Sequence, residues 1–137
     1  MKKRSAAKPL EPIVFFIDRS LGKYDVPEAL RAAGHACEIH DDRFPQDTED
    51  AVWLSALVGQ NRVVLTKDER IRYRPLEYDV LRKSGLRVFI ALCGNVTGGE
   101  TARIILKAIP RVLQVVQAHG TGPLIGYIYK NGTIKLD

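Results

Sequence analysis

The sequence predicts an α/β fold of three layers, in which helices cover both faces of a central, mainly parallel sheet. Short apolar runs rich in Val, Ile and Phe alternate along the chain with amphipathic, helix-like segments. This alternation is typical of right-handed βαβ crossovers, which make neighbouring strands parallel. The length of 137 residues matches one domain that can bury a single core without disulfides or structural metals.

The predicted strands are short and almost continuously apolar, as expected for strands covered on both faces. They cover residues 13–17, 35–39, 62–66 and 86–92. Two of the strands are followed by an aspartate. Asp18 directly follows the first strand, and Asp68 follows the third strand after one residue, Lys67. The third strand therefore repeats the design of the first.

Start and stop signals predict four helices. The first, over residues 25–33, begins with a possible capping box at Asp25 and ends before Gly34. The second begins at Asp47 or Thr48 and carries its apolar face through Trp53. A third covers residues 75–84, and the fourth runs from Thr97 to Ala118, where Pro110 must kink or divide it.

The two ends of the chain differ from this pattern. Residues 124–136 predict a C-terminal β-hairpin on a two-residue turn, Asn131-Gly132. Residues 1–11 form a basic tail, which we expect to be flexible, and residues 12–137 then make up a single domain. Nothing at the start resembles a signal peptide and no apolar run could span a membrane, so we expect a cytoplasmic protein.

The charge distribution argues against a uniformly basic nucleic-acid binder. Lys and Arg number 21 against 16 Asp and Glu, which gives +5. Four of these basic residues lie within the first eight positions, so the rest of the chain carries a net charge of only +1. The charged residues within 38–50 are mostly acidic, whereas those within 62–87 are mostly basic. The two cysteines do not form a disulfide framework.

The acids at the strand ends are candidates for a metal site. Asp18 and Asp68 lie 50 residues apart, but the carboxyl ends of parallel strands meet at one edge of the sheet. Carboxylates gathered there repel one another unless a cation joins them, and Mg²⁺ prefers such oxygen ligands. The start of the second helix offers a third acid, Asp50, with Glu49 and Asp47 as competitors. Helix capping or pairing with nearby cations is the structural alternative.

The segment after Asp68 is suited to binding a phosphate backbone. Lys67, Arg70 and Arg72 surround an acid of the candidate metal site, and Tyr73 could stack on an unpaired base. The alternative is an exposed basic loop whose arginines pair with nearby acids. Asn95 and Thr97 follow the fourth strand and could touch substrate, although helix capping explains Thr97 equally well.

Several other sites are disfavoured by missing residues. A haloacid-dehalogenase-like site needs a second aspartate where Ser20 stands, and neither a phosphate-binding loop nor a dinucleotide fingerprint occurs. A receiver-type phospho-acceptor domain remains a minor alternative, because the paired acids Asp41-Asp42 follow the second strand instead of the first.

Four stretches together resemble the PIN-domain superfamily, and within it the compact PIN-like toxins of the VapC type. They are Phe15-Phe-Ile-Asp18-Arg-Ser-Leu, Leu30-Arg-Ala-Ala-Gly34-His35, Asp47-Thr-Glu-Asp50-Ala-Val-Trp53, and Val63-Val-Leu-Thr66-Lys-Asp68-Glu-Arg-Ile-Arg72. With the fourth strand and the helix after it, the resemblance covers residues 12–118.

The resemblance implies an endoribonuclease that depends on Mg²⁺ or Mn²⁺ and is neutralised by a cognate antitoxin. By this resemblance Asp18, Asp50 and Asp68 are the metal-binding and catalytic acids, with Glu49 as the runner-up to Asp50. Lys67, Arg70 and Arg72 would position the RNA phosphate, and a homodimer is possible. The alternative is a catalytically inactive PIN-like module that binds RNA or protein.

Overall fold

The computed structural model describes residues 13–119 and 123–137. The side chains of Arg72, Leu76, Glu77 and Ser84 are outside this description. The predicted basic tail, residues 1–11, also lies outside the described residues. The helices among the described residues are all too short or too polar to cross a membrane.

The described residues form one six-stranded sheet with the order β2-β1-β3-β4-β5-β6. The strands are β1 (Val14–Ile17), β2 (Ala36–Ile39), β3 (Arg62–Thr66), β4 (Arg87–Leu92), β5 (Leu124–Tyr129) and β6 (Ile134–Leu136). Neighbouring strands are parallel except β5 and β6, which are antiparallel. This confirms the predicted α/β class. Because β2 and β3 lie on opposite sides of β1, the strand order reverses beside the carboxyl end of β1.

Helices cover both faces of the sheet. They are α1 (Asp25–Ala32), α2 (His40–Arg43), α3 (Asp50–Ala56), α4 (Pro75–Ser84) and α5 (Gly98–His119), with 3₁₀ turns at Arg19–Leu21 and Glu69–Tyr73. Phe15 and Ile17 belong to the core under α1 and α5, whereas Phe16 packs with Trp53 of α3 on the opposite face. Successive side chains of β1 thus enter two cores, as a strand's two-residue period requires.

Three predicted helix features differ in the structure. Helix α3 begins at Asp50, after Glu49 as its N-cap, and not at Asp47 or Thr48. The first helix also lacks a capping box, since no side-chain hydrogen bond caps its start beside Tyr24. Helix α5 continues through Pro110 without being divided. The proline is exposed, and the residues around it on the other side of the helix, Ala108, Ile109 and Val112, are buried in the core. The predicted cap of α5 is present, with the Glu100 N–H donating to Thr97 Oγ1 at 3.1 Å.

The C-terminal hairpin is confirmed, but its predicted two-residue turn is wrong. The Tyr129 N–H donates to the Thr133 carbonyl at 2.9 Å, and the Gly132 N–H donates to the Tyr129 carbonyl at 2.8 Å. These bonds define a three-residue loop from Lys130 to Gly132. Gly132 has a φ of +86°, which this loop type requires at its last position and which glycine adopts without strain.

Candidate active site

The candidate site lies where the strand order reverses, at the carboxyl ends of β1 and β3. The Asp18 N–H donates to the Leu65 carbonyl at 3.0 Å, so the parallel pairing of the two strands continues up to the acid. In open α/β sheets this is the usual place for a ligand, because the loops diverge there and leave a crevice.

Two hydroxyl groups hold the carboxylate of Asp18. Ser20 Oγ donates to Asp18 Oδ2 at 2.7 Å, and Thr66 Oγ1 donates to the same oxygen at 2.8 Å. Only 8% of Asp18 is exposed, so these bonds offset much of the cost of taking the carboxylate out of water. Among the described residues, both side-chain donors bond Oδ2 and none bonds Oδ1.

The same hydroxyls fix the turn that follows β3. Ser20 Oγ accepts from the Lys67 N–H at 2.9 Å, and Thr66 Oγ1 accepts from the Asp68 N–H at 3.0 Å. Each hydroxyl therefore joins the acid of β1 to the backbone that carries Asp68. The second acid is placed relative to the first by direct hydrogen bonds.

Asp68 caps the 3₁₀ turn after β3. Its Oδ1 accepts from both the backbone N–H and the Nε of Arg70, each at 3.1 Å. The side chain of Arg70 is 73% exposed, whereas that of Asp68 is 20% exposed. The acid is thus partly enclosed, and the guanidinium of Arg70 covers it from the solvent side.

Asp50 enters the same region from the start of α3. Its Oδ1 accepts from Trp53 Nε1 at 2.9 Å, and its Oδ2 accepts from Arg74 Nη1, also at 2.9 Å. Burial raises the pKa of Asp50, and the negative charges of Asp18 and Asp68 raise it further. The three predicted acids therefore come close enough to act on one another electrostatically.

The arrangement partly fits a divalent cation. Hard carboxylate oxygens and mutual repulsion are the chemistry that Mg²⁺ or Mn²⁺ would satisfy. Within the described ranges, however, no three acidic, histidine or cysteine side chains are grouped closely enough to hold a metal ion. Arg74 lies between two of the acids, with its Nη1 also 3.9 Å from Asp68 Oδ2. The carboxylates are the type of ligand that such an ion prefers, and Arg74 occupies the position of a cation beside two of them.

The competing acids lie elsewhere. Glu49 is exposed, and its backbone carbonyl accepts from the N–H groups of Val52 and Trp53 at the start of α3. Asp47 is exposed as well. Among the three candidates at this helix start, only Asp50 is described in contact with Arg74 and under the influence of Asp18 and Asp68.

An open groove of about 660 Å³ adjoins Asp68. It is lined by residues that follow β3, including Lys67 and Arg70, and by the end of β4 with Leu92 and Asn95. Two of the three predicted phosphate-binding residues therefore face one groove, although Arg70 is also paired with Asp68. The side chain of Arg72, the third, lies outside the described residues.

Three side chains of the site were not predicted in the roles they have. Ser20 and Thr66 bond Asp18, and Arg74, which follows Arg70 and Arg72 in the same basic segment, contacts Asp50 and Asp68. The sequence does contain a signal for Ser20 and Thr66, because one hydroxyl residue stands two positions after Asp18 and the other stands two positions before Asp68. The contacts of Arg74 depend on how the 3₁₀ turn packs, and no sequence spacing encodes them.

A family model described as PIN like domain matches residues 13–92, which is more than half of the chain. The matched region includes β1 to β4 and all three acids. The chain belongs to the PIN-like domain family.

One relative resembles most of the chain. It is the protein named "Putative ribonuclease VapC45" from Mycobacterium tuberculosis (strain ATCC 25618 / H37Rv), which is 23% identical over 125 residues. The similarity covers 88% of this chain and 89% of the relative. No solved structure matches the chain significantly.

Proposed function

We propose that this chain is a divalent-metal-dependent endoribonuclease that hydrolyses RNA phosphodiester bonds. The main support is the convergence of Asp18, Asp50 and Asp68 where the strand order reverses, beside a groove whose lining includes Lys67 and Arg70. The family membership and the ribonuclease name of the relative agree with this function.

The proposed roles follow from the position of each side chain. Asp18, Asp50 and Asp68 would hold Mg²⁺ or Mn²⁺, and the hydroxyls of Ser20 and Thr66 fix the orientation of the Asp18 carboxylate. When bound there, such an ion would supply Lewis-acid chemistry, polarising the phosphodiester and lowering the pKa of a water molecule. Lys67 and Arg70 bind the phosphate in the groove, and we assign the same role to Arg72 on its sequence position alone.

We further propose that the protein acts in the cytoplasm as the toxin of a toxin–antitoxin pair, with a cognate antitoxin as its partner. This rests on the relationship to the VapC-named protein. A homodimer stays a prediction. An adjacent reading frame whose product co-purifies with the chain and blocks its RNA cleavage would support the pairing, and a product that does neither would contradict it.

The cleavage test uses the purified full chain and a pool of structured RNAs, with Mg²⁺, Mn²⁺ or EDTA. We expect discrete cleavage that needs metal and falls by at least about a hundredfold in Asp18→Asn and Asp68→Asn, because each variant loses a ligand charge. Asp79→Asn is the matched control, since Asp79 is exposed and pairs with Lys83 on α4. Cleavage that survives EDTA or both site variants would contradict the proposal.

The second candidate function is a PIN-like module that binds RNA or protein without cleaving it. The position of Arg74 between Asp50 and Asp68 favours this alternative, because a cation already neutralises the acids. The same experiment separates the two functions. A folded protein that binds RNA, cleaves none of the pool and shows no metal-dependent shift in its unfolding temperature would establish the binding module.

A further inference from the structure

Arg74 is the cation that contacts two of the proposed metal-binding acids. Its Nη1 lies 2.9 Å from Asp50 Oδ2 and 3.9 Å from Asp68 Oδ2. The side chains of both acids are about one-fifth exposed, and that of Arg74 is 39% exposed. A partly buried ion pair of this kind is screened less by water and salt than a pair on the surface.

The backbone around Arg74 keeps its side chain in this place. Arg74 ends the 3₁₀ turn Glu69–Tyr73 and is the N-cap of α4, with an extended backbone at φ −92° and ψ 116°. Pro75 restricts the residue before it to this extended region. The Arg74 carbonyl also accepts from the Tyr78 N–H at 2.9 Å, in the first turn of α4.

The electrostatic balance of the site depends on this guanidinium. Its Nη1 contacts Asp50 Oδ2 and approaches Asp68 Oδ2, so one positive charge faces two carboxylates. Arg70 pairs with Oδ1 of Asp68, whereas Arg74 faces Oδ2 of Asp68 and Oδ2 of Asp50, in the space between the two acids. A divalent ion that binds both acids needs that same space.

We infer that Arg74 is an internal counter-ion that competes with the divalent cation for Asp50 and Asp68. This inference rests on the proposed function, because it takes the two carboxylates as metal ligands. Arg74 stabilises the metal-free fold and raises the concentration of free metal at which the site fills. It acts on the reaction through the two acids and is therefore a positioning residue.

The test measures Mn²⁺ binding to the full-length protein by titration calorimetry, without RNA. Arg74→Met removes the charge and keeps most of the side-chain volume. We expect its Kd for Mn²⁺ to fall by at least about tenfold, because the ion no longer displaces a charged hydrogen-bonding partner. We expect its unfolding temperature without metal to fall as well, since the acids then repel one another uncompensated.

Arg82→Met is the matched control. It removes the same charge from the helix that Arg74 precedes as N-cap, and Arg82 is exposed and donates from Nη1 to Tyr78 Oη at 3.4 Å. Its Kd for Mn²⁺ is expected to equal that of the unmodified protein. If Arg74→Met does not fold, Arg74→Gln carries the same test, because it is also neutral and can still donate a hydrogen bond.

The outcomes separate this inference from the proposed function. An unchanged or higher Kd in the folded neutral variants, with normal Mn²⁺ binding by the unmodified protein, would overturn the inference alone. If Arg74→Met lowers the unfolding temperature but does not bind Mn²⁺ more tightly, Arg74 has a purely structural role and the inference is wrong. If none of the proteins binds Mn²⁺ and none cleaves RNA, both the proposed function and the inference are wrong.

Discussion

At the scale of single residues, the orientation of Asp18 depends on two hydroxyl groups. Thr66 Oγ1 is fully buried, donates to Asp18 Oδ2 and accepts from the Asp68 N–H. Loss of this hydroxyl would leave the buried Asp18 carboxylate with one donor fewer and the partly buried Asp68 N–H without its acceptor. A buried polar group without a partner lowers the free energy of unfolding by more than an average hydrogen bond raises it.

Thr66→Val tests this arrangement because valine has nearly the same shape without the hydroxyl. We expect the free energy of unfolding to fall by about 1–3 kcal/mol, measured by urea denaturation with an unchanged m-value. Thr66→Ser retains the hydroxyl and is the control, expected to keep more of the stability. Equal stability of Thr66→Val and the unmodified protein would show that the hydroxyl bonds contribute nothing.

Asp41 offers a pH-dependent prediction outside the acid cluster. The hydrogen bond from the His40 ring lowers the pKa of Asp41, and Gln46 and Arg19 contribute to the shift. Because the pKa is lower in the folded state, the charged form adds stability above the unfolded value of about 3.9 and loses it as the pH falls through the folded value.

We therefore expect Asp41→Asn to lower the unfolding temperature by a few degrees at neutral pH. The difference from the unmodified protein should shrink as the pH is lowered below the unfolded pKa. Asp42→Asn, at the exposed neighbouring position, is the control and should change little at any pH. A deficit for Asp41→Asn that stays constant down to strongly acidic pH would contradict this explanation.

At the scale of elements, β5 approaches β4 closely at one position. Gly126 pairs with Phe89, and a Cβ added there would lie 2.7 Å from two ring carbons of this fully buried phenylalanine. The absence of a side chain on Gly126 is what gives the ring its space. The ring fills the core under α1 and α5, so it cannot shift without disturbing that packing.

Gly126→Ala is expected to lower the free energy of unfolding by about 1–3 kcal/mol through overpacking. Gly99→Ala is the matched substitution, because nothing lies within 4 Å of its added Cβ and alanine favours a helix. We expect that variant to be as stable as the unmodified protein or slightly more so. Equal losses in the two variants would exclude the contact with Phe89 as the cause.

The same scale shows which elements the sequence could predict. Continuous apolar runs mark buried strands well, so β1 and β3 were predicted within one residue of their ends. Helix α3 starts later than predicted. Asp47 and Thr48 are residue types that often cap helices, but the Thr48 hydroxyl donates to the Pro45 carbonyl instead of capping α3. The hairpin loop has three residues and not the predicted two, because Asn-Gly is compatible with both loop lengths.

At the scale of the whole molecule, the parallel sheet is what makes the candidate site predictable. In this sheet β1 and β3 are parallel neighbours, so residues that follow their carboxyl ends, such as Asp18 and Asp68, come from one edge of the sheet. The contact of Arg74 with Asp50 does not follow from this arrangement. It joins the turn before α4 to the start of α3, and the packing of these helices on the sheet determines it. The metal-binding roles themselves stay predictions.

The order of strands also has a consequence for the chain during its synthesis. The acids come from three separate elements, and the arginine that neutralises two of them follows at position 74. A nascent chain that ends before β3 lacks the strand that β1 needs as its neighbour, and it also lacks Asp68 and Arg74. By our proposal, a ribosome translating this protein therefore carries a harmless polypeptide until more than half of the chain has emerged and folded.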